Sequence, residues 1–258
     1  MLFYFSATGN SLYAAKQIEE NPISIPQVIH QETLHFRADK IGIVCPVYGH
    51  EAPGMVKDFL RRATFETDYF YMVLTYGNRH GGAAELAHNL CRECGIAPQY
   101  INVLLMVDNW LPSFDMDEQK KLDKKVDEHI AQIVSDIHNG KEMIAEVTDT
   151  DRAAHQEFLS RVGRPFTSSG GRTVPPFQVT EACTGCGICT KVCPVGIIEV
   201  KSGHAVHNGI GCQMCLACVQ NCPQKAIKLT MPEKNPNARY RNEHIALNEI
   251  IAANNQQK

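Results

Sequence analysis

Eight of the eleven cysteines in this 258-residue chain fall between Cys183 and Cys222, in two copies of the pattern C-x2-C-x2-C-x3-C-P. Cys183, Cys186, Cys189 and Cys193-Pro194 repeat as Cys212, Cys215, Cys218 and Cys222-Pro223, each member displaced by 29 residues. Three thiolates so closely spaced can wrap a tight loop around a metal centre, with a further ligand reached from elsewhere in the chain. Each run ends in proline, which lacks the amide that would continue a helix. An apolar pair follows each run in register, Ile198 with Val200 and Ile227 with Leu229, as suits a short strand. Structural zinc also uses C-x2-C pairs, but it needs neither the third cysteine nor the trailing C-P. A secreted disulfide framework fits less well, because no signal peptide is read and repeated C-x2-C in a chain of this size points to metal in a reducing compartment.

The paired runs resemble the ligand set of bacterial two-cluster ferredoxins, in which the fourth cysteine of each run binds the other run's cluster. That resemblance implies one 4Fe-4S cluster on Cys183, Cys186, Cys189 and Cys222. The second then takes Cys212, Cys215, Cys218 and Cys193.

The chain begins differently. Leu2-Phe3-Tyr4-Phe5 is a short apolar run, Ser6-Ala7-Thr8-Gly9-Asn10-Ser11 is a hydroxyl-rich loop, and Leu12 to Glu19 reads as helix. A loop opening onto a helix N-terminus suits a phosphate, since backbone amides and the helix dipole face the anion. It is neither a Walker A loop nor a G-x-G-x-x-G turn. The same residues also suit a plain N-cap turn. Downstream, the apolar runs Ile41–Cys45, Tyr69–Thr75 and Ile101–Val107 alternate with helical stretches at about 53–62 and up to about Cys94, which predicts a parallel sheet. Ligands in such sheets sit outside the carboxyl ends of the strands, near the switch point. Two loops there carry a tyrosine beside a glycine, Tyr48-Gly49 and Tyr76-Gly77-Asn78.

The 6–11 loop resembles the FMN-phosphate loop of flavodoxins, and nearly the whole chain resembles the flavodoxin-domain ferredoxins, soluble fusions of the two modules. The resemblance implies an α/β fold: a flavodoxin-like, five-stranded parallel sheet in order 2-1-3-4-5, with a small α+β two-cluster ferredoxin-like domain. It implies phosphate binding by Ser6, Thr8, Gly9, Asn10 and Ser11. Tyr48 and Gly49 would lie in one isoalloxazine loop and Tyr76, Gly77 and Asn78 in the other, with Gly49 able to flip its peptide cheaply. Where many flavodoxins carry acidic residues by the flavin, this loop has His50.

The expected divisions are 1–145 for the FMN domain, 146–178 for a helix (about 151–162) and a Gly/Ser/Pro-rich linker at 165–176, 179–232 for the cluster domain, and 233–258 for a tail. That tail carries a helix from about Asn242 to Ala253, packed on the first domain or frayed. Leu122, Val126, Ile130, Ile133, Val134 and Ile137 fall at helical spacing, which predicts one long helix from Ser113 to Asn139. Cys45 reads as core, and Cys91 with Cys94 as a lone pair without assigned role.

A net charge of -3 with no basic stripe argues against nucleic acid. Every apolar run is far shorter than the ~20 residues of a membrane span, and a cytoplasmic protein is expected. The leading expectation is an electron carrier linking two 4Fe-4S clusters, FMN and a redox partner protein, because clusters pass single electrons while a flavin holds one or two. An FMN-dependent reductase acting on a small-molecule electron acceptor, such as a quinone or porphyrinogen, is the alternative, and a redox sensor the distant one. No catalytic residue is assigned, so carrier and oxidoreductase both stand.

Overall fold

The computed structural model describes residues 1–162, 177–208 and 211–256; the expected linker at 165–176 lies outside them. Its N-terminal part runs β1 (Leu2–Tyr4), α1 (Asn10–Ile18), β2 (Ile23–Ser24), α2 (Ile25–Val28), β3 (His35–Arg37), β4 (Lys40–Pro46), α3 (Gly54–Arg62), β5 (Thr64–Glu66), β6 (Tyr69–Tyr76), α4 (Ala83–Glu93) and β7 (Tyr100–Leu105). It continues with α5 (Met116–Gln119), α6 (Val126–His138), β8 (Met143–Ile144) and α7 (Asp149–Val162).

The main sheet is parallel throughout, in the order β2-β1-β4-β6-β7-β8. Its first five members stand in the 2-1-3-4-5 order of the flavodoxin-like fold. The two-residue β8 adds a sixth at the edge, one more than expected. Strands β3 and β5 form a separate parallel ribbon. Central β4 and β6 are buried along nearly their whole length, which is why they read as unbroken apolar runs: helices cover both faces. Gly42 on β4 leaves room for the ring of its cross-strand neighbour Tyr71, which would lie 2.1 Å from an added Cβ.

One face of the sheet is closed by aromatic packing, with Phe3 4.5 Å from Phe36 and 5.1 Å from Phe59, ring centre to ring centre. The other face is shared. Leu2, Val44, Tyr71 and Ile133 pack there with Val192 and Ala217 of the cysteine region and with Ile245, Ile250 and Ala253 of the tail. The tail helix, which spans Leu247–Asn254 and so starts later than the expected Asn242, therefore docks on the sheet instead of fraying.

The single helix expected over 113–139 is broken. Between α5 and α6 the chain turns, Lys125 takes a left-handed φ of 52°, and Lys124 Nζ donates to the carbonyls of Gly77 (2.6 Å) and Met106 (2.7 Å). Satisfying two carbonyls at the sheet edge with an ammonium outweighs the helix propensity of 120–125. Leu122, placed by its spacing on the apolar face, is 52% exposed.

The cysteine region comprises β9 (Phe177–Val179), α8 (Ile188–Lys191), β10 (Ile198–Lys201), β11 (His204–His207), α9 (Ala217–Gln220) and β12 (Ile227–Leu229), followed by α10 (Leu247–Asn254). β9 pairs antiparallel with β12, and β10 with β11. Among the described residues no helix is long and apolar enough to cross a membrane.

Candidate functional site: a cavity walled by both modules

A cavity of about 410 Å³ opens at the carboxyl edge of β1, β4, β6 and β7. The sheet topology dictates its place, for the chain crosses from one side of the sheet to the other between β1 and β4. All ten residues expected to hold a ligand lie in its three loops, and nine of them form its wall; the exception is Gly9, at the loop's turn.

The 6–11 loop is bonded internally. Ser6 Oγ accepts from the Gly9 amide (3.2 Å) and Thr8 Oγ1 from Asn109 Nδ2 (2.7 Å). A hydroxyl that accepts still has its own proton to give, so Ser6 and Thr8 keep donors for an anion. Ser11 Oγ lies 2.8 Å from Thr75 Oγ1. Asn10 is a strut: its Nδ2 donates to Val107 O at 3.0 Å and its Oδ1 accepts from Tyr240. Gly9 carries the loop into α1 at φ 100°.

In the second loop, Tyr48 and Glu51 exchange backbone hydrogen bonds (2.8 and 3.2 Å) around Gly49 and His50. With φ of 57° and 71°, these two central residues make the type I′ turn of a tight hairpin. His50 holds its left-handed backbone because its ring is wedged against Gly81 and packs on Phe158 (5.0 Å) and His155 (5.6 Å). Burial lowers its pKa, and His155, Arg79 and His80 act in the same direction while Asp151 opposes them. The Tyr48 hydroxyl is pushed well up by burial first and by Cys215 second, which puts the phenol beside the cysteine module.

The third loop is pinned by Lys124 on Gly77 O and by close packing of Gly77 on Asp108. Tyr76 stands edge-on to His80 at 5.2 Å. Sequence reasoning left the wall residues Asp108, Asn109 and Trp110 unassigned, although they follow β7 at the same sheet edge and the switch-point rule would have found them. Burial raises the Asp108 carboxyl, opposed by the Trp110 amide and Lys124. Nothing in the sequence pointed to Phe158 of α7, nor to Met214, Cys215 and Leu216, which close the cavity from the cysteine side.

The eight cysteines divide between two smaller cavities. Cys183, Cys186, Cys189 and Cys222 line one; Cys193, Cys212, Cys215 and Cys218 line the other. Each therefore gathers three cysteines of one run and the fourth of its neighbour. Burial, then the surrounding thiols, pushes Cys189 up to about 11. Cys218 rises further for the same reasons. Thiols so crowded ionise only when cations compensate them, a donor set that fits iron. Backbone amides point at several of the sulfurs, among them Ala205 at Cys183 (3.5 Å), Met214 at Cys212 (3.5 Å) and Ala226 at Cys222 (3.3 Å). Such bonds tune the potential of a cluster. Among the described residues no three His, Cys, Asp or Glu side chains converge on a single-ion site; the cysteines ring cavities instead. Cys45 is core, and Cys91, buried with its thiol 3.5 Å from Met72 Sδ, lies away from all three cavities.

Residues 182–227 match the family model of the 4Fe-4S dicluster domain. A ferredoxin of Chlorobaculum thiosulfatiphilum is 36% identical over 55 residues, which make up 19% of this chain and 90% of that protein. An iron-sulfur protein of Rhodospirillum rubrum is 34% identical over 70 residues, and there the match spans only 20% of this chain and 37% of the relative's length. A solved structure from Bacteroides uniformis, whose name includes the word flavoprotein, superposes on 41% of this chain and 88% of its own at 18% identity, with a TM-score of 0.33. The strand order, not that likeness, carries the fold of the N-terminal module.

Proposed function

We propose that this chain, which belongs to the ferredoxin family and joins the family's two-cluster domain to a flavodoxin-like domain, is an electron-transfer iron-sulfur flavoprotein. The observation that carries the reading is one shared wall: Cys215, flanked by Met214 and Leu216, lines both a cysteine cavity and the cavity at the sheet edge. A cluster held there would be the immediate neighbour of whatever the sheet-edge cavity binds.

The ligand assignment follows the two cysteine cavities. Cys193, Cys212, Cys215 and Cys218 would hold the cluster proximal to the sheet, and Cys183, Cys186, Cys189 and Cys222 the distal one. Cys186 is exposed, so the distal cluster is the port to a redox partner protein. The sheet-edge cavity suits FMN. Its phosphate fits Ser6, Thr8, Gly9, Asn10 and Ser11, where Ser6 and Thr8 retain hydroxyl protons, and its ring fits between the loops carrying Tyr48-Gly49 and Tyr76-Gly77-Asn78. When bound, FMN supplies an acceptor for one or two electrons beside a one-electron carrier. This chain's residues orient the ring, exclude water from the proximal face through Met214 and Leu216, and set the local charge through Asp108 and His50.

Anaerobic purification followed by a reductive titration, with absorbance and EPR, tests the reading. Two clusters and one FMN per chain, with flavin reduction following cluster reduction, are expected; protein that carries clusters but binds no FMN refutes it. A reductase of a small molecule is the second reading, favoured by His50 at the cavity rim with His80, His155 and Asp151 around it. Stopped-flow mixing of the reduced protein with quinones and with acceptor proteins separates the two.

A further inference from the structure

Three carbonyls of the loop before α1 are held from the far end of the chain. Ser6 O accepts from Asn254 Nδ2 at 2.8 Å, Ala7 O from Asn221 Nδ2 at 3.4 Å, and Thr8 O from the Asn242 amide at 2.8 Å. The Asn10 side chain takes two more bonds, from the Tyr240 hydroxyl (2.6 Å) and from Asn242 Nδ2 (3.2 Å). Gly9 lies flat on the same support: an added Cβ would sit 2.9 Å from Asn242 Cβ and 3.0 Å from Ile245 Cβ.

These donors are outside the cavity wall, so they act on the loop from behind. Asn254 is fully buried and Asn221 and Asn242 nearly so. Asn221 Oδ1 and Asn254 Oδ1 are buried without a hydrogen-bond partner among the described residues. Burying an unsatisfied amide oxygen costs stability; Asn254 thereby places its donor on the loop, and Asn221 divides its Nδ2 between the loop and Ala217 O at 3.0 Å. A loop that binds an anion through its amides has to send its carbonyls elsewhere, and buried carbonyls need donors there.

On the reading that the loop takes the phosphate of FMN, we propose that Asn221, Asn242 and Asn254 are positioning residues for that phosphate, so that the loop adopts its anion-binding form only with the C-terminal third of the chain docked behind it. The same residues connect the loop to the clusters. Asn221 precedes Cys222 directly. Gln220 beside it donates to Asn109 O at 2.8 Å and accepts from the Tyr240 amide at 2.8 Å, and Asn109 in turn donates to Thr8. The segment between Cys218 and Cys222 thus holds the loop and the tail together. Ordering it around iron favours phosphate binding, and by reciprocity phosphate binding favours the ordered segment.

The test is a fluorescence titration of FMN, and separately of riboflavin, into the cluster-loaded full chain and its Asn221→Ala, Asn242→Ala and Asn254→Ala variants. Asn221→Ala and Asn254→Ala remove side-chain donors from the loop carbonyls, whereas Asn242→Ala keeps its backbone amide on Thr8 O and removes the Nδ2 donor to Asn10 Oδ1; each is expected to raise the FMN dissociation constant about five- to tenfold, about one net hydrogen bond's worth, with riboflavin affinity and iron content unchanged. Tyr240→Phe removes only the hydroxyl on Asn10 and serves as the mild variant if an alanine variant loses its clusters; it is expected to weaken FMN selectively as well. Unchanged FMN affinity, or equal loss for FMN and riboflavin, overturns the proposal. Wild-type protein that binds neither flavin, or binds both equally, overturns the phosphate reading beneath it, a distinct outcome.

Discussion

Gly185 and Met214 hold equivalent places in the two cysteine runs, 29 residues apart, and share one left-handed backbone conformation, φ 66° and 53°. Gly187 and Leu216 repeat the relationship at 75° and 61°. Glycine adopts this conformation freely, whereas a side chain there costs about 1–2 kcal/mol. Both strained residues wall the sheet-edge cavity. The second run accepts strain where it gains an apolar surface between Cys215 and the sheet-edge loops.

Giving the second run the glycines of the first is therefore expected to leave cluster assembly possible and to damage flavin binding. In Met214→Gly/Leu216→Gly, FMN and riboflavin affinity should fall together, because the ring and not the phosphate loses its wall. Lost burial of about 2–5 kcal/mol for each large side chain exceeds the strain relieved, so the melting temperature should also drop. Flavin titration alongside iron analysis checks this; undiminished riboflavin binding would remove these residues from the ring site.

Gly77→Ala tests the third loop. An added Cβ would lie 2.3 Å from Asp108 Cα and 2.6 Å from its Cγ, and backbone cannot yield as a side chain does. Overpacking of this kind costs roughly 1–3 kcal/mol. Thermal unfolding should show that loss, and the variant should be purified with its clusters but without FMN.

Cys215→Ser and Cys186→Ser should separate the two ends of the proposed wire. Loss of the ligand at the cavity wall is expected to slow electron passage to FMN even when the distal cluster is reduced. Cys186→Ser should impair acceptance from an external donor while FMN still equilibrates with the proximal cluster. Rapid-mixing absorbance on the two variants checks the order, and an inverted pattern would reverse it.

Acid should destabilise the fold in part through His50. Its folded pKa lies below the ordinary value of 6.5, so the unfolded state binds the extra proton more readily. Stability from this group is fully present above about pH 6.5 and is lost as pH falls towards the folded pKa. His50→Asn, a residue that tolerates the left-handed backbone, should make the melting temperature less sensitive to pH between about 7.5 and 5.5. Equal pH sensitivity in variant and wild type would count against this assignment.

Much of this protein follows from local sequence. The cysteine spacing determined the iron-sulfur module, because the ligand run is contiguous and needs little beyond its own turns. Alternating apolar runs determined the parallel sheet, since strands buried on both faces must be apolar throughout, and the switch-point rule placed Ser6–Ser11, Tyr48 and Tyr76 at one edge. Tertiary structure decided what no window of residues contains. Lys124 broke a helix that periodicity predicts over 113–139, because two carbonyls 18 and 47 residues away along the chain took its ammonium. Asn254 reached Ser6 across 248 residues, and Cys215 came to face Tyr48. Those relationships depend on how the cluster module and tail dock on the sheet, and docking is set by shape and buried apolar area, which leave no periodic trace in a sequence.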